Sequence, residues 1–239
     1  MSNPAGHGFP SQGRMAHVVD ALLPRACFLC SAPGGRHLLC AACRDMLPRM
    51  PADCCPVCAL PTPGAAVCGE CLKRPPYFDA SHAVFRYEFP IDTLIHALKY
   101  GHRLASADFL ATSMLEFAPS TPPDLIIPVP LAPTRLAERG FNQAVELARP
   151  LARHWQTPLE ITRITRALDT LPQASLPWKE RAKNIRHAFN CSIDLSGKSV
   201  LVVDDVMTTG ATLNELAGAL KACGAARVAN LVLARALKQ

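Results

Sequence analysis

Aromatic residues make up only 6% of the 239-residue chain, and charged residues only 18%. A groove that grips single strands by base stacking wants clustered aromatics in basic surroundings, so this scarcity argues against a dedicated stacking groove. Long apolar runs are missing too. No stretch reaches the ~18 consecutive apolar residues of a membrane helix, and the longest early apolar segment, 18–23, is interrupted by Asp20. No membrane span and no secretory signal are therefore expected. The compartment read from this is the reducing cytoplasm, where clustered cysteines serve as metal ligands more often than as disulfides.

Two residue types are abundant, with 11 cysteines and 22 prolines. Nine of the cysteines fall within 45 residues, and only Cys191 and Cys223 lie beyond them. The length suits one or two domains of roughly 150 residues, and the cysteines mark a separate module. The first 15 residues, rich in Gly, Pro and Ser and without an apolar period, read as a disordered leader, and Met15 is an alternative start. The formal charge is +6, and residues 134–189 hold ten Lys/Arg against five Asp/Glu. Such a run is either a solvated face or the counterpart of an anion.

Cys27-x2-Cys30 is followed after nine residues by Cys40-x2-Cys43, and adding 28 to each position gives Cys55, Cys58, Cys68 and Cys71. This is an internal repeat of a four-cysteine unit. Each C-x2-C turn presents two thiolates on one side, and two turns complete a tetrahedral all-sulfur zinc site. Four sulfurs leave no position for water, so about two structural Zn2+ ions and no zinc catalysis are expected. Binding structural zinc supplies ~10–16 kcal/mol, which a segment this small and apolar-poor needs. Iron–sulfur binding is the competing metal reading. Cys54 is left over, either a bystander or a substitute for Cys55, and His37 reads as an ordinary loop histidine.

From about Asp79 the pattern changes to strands over 81–89, 125–130, 199–203 and 227–234, alternating with helices over 91–100, 142–155 and 212–223. That alternation predicts an α/β domain with a mostly parallel sheet flanked by helices. Ligands of such sheets sit beyond the carboxyl ends of the strands. There the strand over 199–203 runs into Asp204, Asp205, Val206, Met207, Thr208, Thr209, Gly210, Ala211 and Thr212. A tight glycine turn, hydroxyl donors and a helix start make a phosphate cradle. The two carboxylates repel phosphate and match the paired hydroxyls of a ribose, so together the elements describe a ribose 5-phosphate. An adenosine triphosphate loop fails on position, because Gly197-Lys198-Ser199 lacks the upstream glycine and precedes its strand. The alternative for the whole stretch is a solvated turn capped by threonines.

The segment 200–213, VLVVDDVMTTGATL, resembles the phosphoribosyl pyrophosphate motif of type I phosphoribosyltransferases. Residues 127–131, Arg135, 139–143, Arg166, Thr170, Gln173, Arg181, Asn184, Phe189 and 99–101, together with the double four-cysteine ribbon, are similar to the ComF branch, the competence-associated proteins. The resemblance covers almost the whole chain from about Ala16, apart from the leader and Cys54. It implies a type I phosphoribosyltransferase-like fold preceded by a double zinc ribbon. The domains are then a leader over 1–15, the ribbon over 16–78 and the phosphoribosyltransferase-like part over 79–239.

The resemblance implies that Asp204 and Asp205 hold the ribose hydroxyls of phosphoribosyl pyrophosphate while Thr208, Thr209, Gly210, Ala211 and Thr212 hold its 5-phosphate. The loop has no Lys or Arg, so the candidate cations for the pyrophosphate are Arg135, Arg139, Arg166, Lys179 and Arg181, the last three on a segment resembling the family's hood. Mg2+ is expected with the pyrophosphate. The duller readings stay open: Arg135 and Arg139 as a solvated helix face, Asn142 and Gln143 as helix caps, Lys99 as a surface lysine, and Trp155 and Trp178 as packing residues. The implied activity is a transferase acting on phosphoribosyl pyrophosphate, with catalysis, acceptor and oligomeric state left open. A role in natural transformation is also implied, with single-stranded DNA and the DNA-uptake machinery as partners. The alternative is a non-catalytic accessory module binding single-stranded DNA or a phosphoribosyl ligand.

Overall fold

The structure, a computed structural model, describes residues 26–33, 38–100, 104–117, 119, 121–166 and 188–237. The readings made for the leader, His37, Gly101, Thr170, Gln173, Trp178, Lys179, Arg181 and Asn184 lie outside these residues. The chain separates into two compact units, Met1–Met46 and Leu47–Gln239. The smaller unit contains the first four-cysteine set and a short helix, α1 (Ala41–Asp45). The larger unit contains the second set with its own short helix, α2 (Gly69–Lys73), and everything that follows. The line drawn at 78/79 from the sequence thus falls inside the larger unit.

Four strands form a parallel sheet in the order β1 (Ala80–Arg86), β6 (Arg227–Arg235), β5 (Ser199–Met207) and β2 (Leu125–Pro128). A parallel sheet needs cover on both faces, which is why these strands read as near-continuous apolar runs. Eight of the nine residues of β6 are buried, and so are all four of β2. The helices are α3 (Ile91–Tyr100), α4 (Leu104–Leu115), α5 (Pro133–Arg139), α6 (Gln143–Trp155) and α7 (Ala211–Ala222). In α3 the spacing of Ile91, Leu94, Ile95 and Leu98 puts all four on the buried face. Gly140 closes α5 in the left-handed conformation with φ 76°, the geometry a helix stop favours. The Asn142 side chain then accepts the Ala144 N–H at 2.9 Å and caps α6.

The strand expected over 199–203 continues to Met207 because β6 keeps pairing with it, Asp204 opposite Val232 and Met207 opposite Arg235. On its other side β5 pairs with β2 only as far as Val203 opposite Pro128. Residues 204–207 therefore have one paired edge and one edge released from β2, and burial along them alternates. A short antiparallel pair, β3 (Ile164–Arg166) with β4 (Phe189–Cys191), lies outside this sheet and has no periodic signal in the sequence. Among the described residues no helix is long and apolar enough to cross a membrane.

Candidate functional site: two cysteine clusters and the β5–α7 cleft

The 28-residue repeat is also a repeat of hydrogen bonds. Cys27 N–H donates to the Ala32 carbonyl at 2.7 Å and Ser31 N–H to the Cys27 carbonyl at 2.9 Å. Cys55 N–H to the Leu60 carbonyl and Ala59 N–H to the Cys55 carbonyl match them at 2.7 and 2.9 Å. Ser31 and Ala59, at corresponding places, both take left-handed backbone with φ 61° and 56°. The repeated sequence therefore makes the same turn twice. Within each set the four sulfurs lie within 4.8 Å of one another. The separations Cys30–Cys40, 3.7 Å, and Cys58–Cys68, 3.6 Å, are far longer than a disulfide. They fit the edge of about 3.8 Å that a tetrahedron with Zn–S of about 2.3 Å requires.

The chemistry of the clusters fits a cation as well. The backbone N–H of Cys40 is the largest influence holding Cys27 down, to about 6, whereas bonds from Cys30 and Cys40 push Cys43 up to about 12. Thiols this close cannot all ionise without positive charge between them. The Cys68 N–H donates to Cys55 Sγ at 3.3 Å, which supports a thiolate there. All eleven cysteines are free of disulfides. Cys54 donates to the Pro51 carbonyl at 3.3 Å and stands outside the second cluster.

The second site grows out of the released edge of β5. A cleft of about 220 Å³ is lined by Tyr87, Lys99, Asp204, Asp205, Thr208 and Thr212 among others, with Gly210 and Ala211 at its loop wall. Gly210 precedes α7 with φ 82°, and a β-carbon there would stand 2.7 Å from the Met207 methyl carbon. The left-handed backbone favours glycine, and any side chain there would also have to displace the end of Met207. Thr209 Oγ1 accepts the Ala211 N–H at 3.1 Å, so this threonine caps the helix. The first turn of α7 carries no acidic residue, and its positive end stays available to an anion.

The two carboxylates differ. Asp205 is buried; its Oδ2 pairs with Lys99 Nζ, and its Oδ1 accepts Gln143 Nε2 at 3.2 Å. Burial alone would raise the Asp205 pKa, but Lys99 and Gln143 outweigh it and hold the carboxyl below the usual range. Asp204, half-buried, goes the other way: burial and the adjacent Asp205 charge push it well above that range. Burial likewise pulls Lys99 down, and Asp205 with Asp204 more than restores it, so the ammonium is held. The network extends outward through Arg139, whose Nη1 donates to Gln143 Oε1 at 2.6 Å and whose guanidinium lies 5.2 Å over the Tyr100 ring.

Asp204, Asp205, Thr208, Gly210, Ala211 and Thr212 thus come together around one cleft. Thr209 sits in the same loop, where its Oγ1 accepts the Ala211 N–H and its own O–H remains a donor. Arg139 joins the network behind Asp205, while Arg135 pairs with Glu138 at 3.3 Å on α5, away from the cleft lining. Arg166 stacks 5.7 Å over the Phe189 ring between β3 and β4. Lys99, read from the sequence as a surface lysine or a ligand, is the cation of the cleft, and its signals in the sequence were the resemblance of 99–101 to the ComF pattern and its place beside the buried Leu98 of α3. Tyr87, just past β1, carried no signal at all.

Residues 137–239 match the family described as Phosphoribosyl transferase domain, and residues 18–72 match the Double zinc ribbon domain. The DNA utilization protein YhgH of Escherichia coli (strain K12) is 36% identical over 225 residues, which cover 90% of this chain and 99% of that one. Competence protein F of Haemophilus influenzae is 33% identical over 184 residues, 71% of this chain and 78% of that one. Competence protein ComFC of Bacillus subtilis is 27% identical over 212 residues, 82% of this chain and 84% of that one.

Proposed function

This chain belongs to the ComF family of phosphoribosyltransferase-like proteins with an amino-terminal double zinc ribbon, and from that premise we propose that its β5–α7 cleft binds phosphoribosyl pyrophosphate in the service of DNA uptake or utilization. The observation that carries this reading is the gathering of two carboxylates and a glycine–threonine loop around one cleft at the start of a helix. The 5-phosphate takes the loop of Thr208, Gly210, Ala211 and Thr212, where the helix start favours negative charge. The ribose hydroxyls take Asp204 and Asp205. Lys99, paired with Asp205, and Arg139, joined to it through Gln143, support the pyrophosphate end.

Mg2+ is a hard cation that keeps several waters and draws ligands from phosphate oxygens. The donor set fits that habit, since Asp205 is engaged by Lys99 and Asp204 leaves a carboxylate at the cleft. The zinc of the two cysteine clusters has a structural role in this reading. A transferase acting on this ligand displaces pyrophosphate at ribose C1 by a nitrogen nucleophile, and charge stabilisation and positioning supply most of the acceleration. The chain's part in such a step is to fix the ribose by Asp204 and Asp205 and to answer the departing negative charge by Lys99 and Arg139. The printed names of the relatives, DNA utilization protein and competence protein, support the DNA connection.

A second reading is an accessory module that holds single strands, and the exposed Tyr87 in the cleft lining favours it. The test of the primary reading is thermal. Phosphoribosyl pyrophosphate with Mg2+ raises the melting temperature of the parent, and Asp204→Asn with Asp205→Asn abolishes the rise; an unshifted parent overturns the reading. Single-strand binding that weakens steeply with salt supports the second.

A further inference from the structure

β6 ends on Arg235, which is only 3% exposed. Its Nε donates to the Cys58 carbonyl at 3.0 Å. Its Nη1 donates to the carbonyls of Met207 at 2.9 Å and Ala236 at 2.8 Å, and also to that of Thr208. Cys58 contributes one of the four sulfurs of the second cluster, and Met207 and Thr208 open the loop that leads to Gly210. One side chain therefore ties the backbone beside a metal site to the backbone of the proposed phosphate loop.

A buried guanidinium is costly unless its charge is answered. Arg235 takes no part in the carboxylate ion pairs among the described residues. The negative charge at hand is sulfur, because four thiolates around Zn2+ carry about two net negative charges. The carbonyls it holds also have a direction. In a planar trans peptide the C=O and the following N–H point opposite ways. Drawing the Met207 and Thr208 carbonyls toward Arg235 turns the Thr208 and Thr209 N–H groups away from it, as an anion cradle needs.

We propose that Arg235 is a positioning residue that couples metal occupancy of the second cysteine cluster to the shape of the phosphate loop, so that the second ribbon is part of the ligand site. The inference rests on reading the β5–α7 cleft as a phosphoribosyl pyrophosphate site. It also separates two modules that look equivalent by repeat, because the first cluster belongs to the other compact unit, Met1–Met46.

The experiment uses the full chain in four forms: parent, Cys58→Ser with Cys71→Ser, Cys30→Ser with Cys43→Ser, and Arg235→Lys. Zinc content, amide hydrogen exchange and affinity for phosphoribosyl pyrophosphate with Mg2+ are measured on each. Loop amides 208–211 are referred to the core amides 200–203, which report general opening and would move equally if Arg235 only stabilised the fold. In the second-cluster variant and in Arg235→Lys the loop amides exchange at least about tenfold faster relative to the core, and the ligand binds at least about tenfold weaker. Arg235→Lys keeps both zinc ions. The first-cluster variant loses one zinc and stays within about twofold of the parent in loop exchange and affinity.

Loop exchange at the parent rate after loss of the second zinc, or equal acceleration of loop and core, overturns the coupling. Should the second-cluster variant not fold, chelator treatment of the first-cluster variant, whose remaining zinc is held by the second set, isolates loss of that zinc, and Arg235→Lys isolates the tie to the loop. A parent that ignores phosphoribosyl pyrophosphate while its loop responds to the second zinc removes the ligand reading and leaves the coupling standing.

Discussion

Asp204 and Asp205 are neighbours in sequence with opposite electrostatic fates. Asp205 is stabilised as an anion by Lys99, so its contribution to folding is present above the ordinary aspartate pKa of about 4 and is lost as pH falls through its depressed value. Lys99 has the complementary sign, with its contribution complete below about 10.5 and lost as pH rises through its raised value. The pair therefore supports a plateau across neutral pH. Lys99→Met leaves Asp205 buried without its cation, and a loss of about 3 kcal/mol at pH 7 is expected. The loss shrinks as acid protonates Asp205, and urea unfolding at several pH values checks both size and sign. Asp204 works against that plateau, since its raised pKa favours the folded state only where it keeps its proton. A carboxylate held in this condition is one that a donor or a cation in the cleft would satisfy.

The strand β5, the loop 208–210 and α7 form one device. The strand is covered on both faces through Val203 and then loses β2, which lets polar side chains replace apolar ones at Asp204 and Asp205. Gly210 makes the corner. Gly210→Ala forces a side chain into left-handed backbone, which costs about 1–2 kcal/mol. The Met207 methyl carbon, 2.7 Å from the new β-carbon, must also move. Chemical denaturation should show at least that destabilisation, and affinity for phosphoribosyl pyrophosphate should fall with it; an unchanged midpoint contradicts the strained corner. The cap of α6 is a separate device, in which Asn142 accepts from Ala144 and also donates to the Val129 carbonyl at 3.0 Å. That double use sets Gln143 against Asp205.

At the scale of the whole molecule, metal analysis of freshly purified protein should find about two zinc per chain. Protein without either metal would have to hold four close thiols in each set without a cation, and should lose the ribbon turns. A stoichiometry near zero with the fold intact contradicts this. The larger unit joins the second ribbon to the parallel sheet through shared burial of Cys55, Cys58, Cys71, Met50 and Phe78 with the strand residues, and through the Ser81 N–H to the Pro56 carbonyl at 3.1 Å.

Much of this was legible without coordinates. The cysteine repeat, the alternation of strands and helices and the glycine corner after the paired aspartates are local patterns, and local spacing alone dictates a turn or a period. The extension of β5 to Met207, the pairing of Lys99 with Asp205, the turning of Arg135 to Glu138 and the burial of Arg235 between cluster and loop were not legible. Each joins residues of distant or competing partners, and only the packed chain decides which carbonyl or carboxylate a given cation meets. The sequence by itself determined the two metal-binding sets and the class of the sheet, because their chemistry lies within short stretches of chain. Tertiary structure alone decided that the second repeat is buried together with the sheet, because such burial is a property of the fold around a motif and not of the motif.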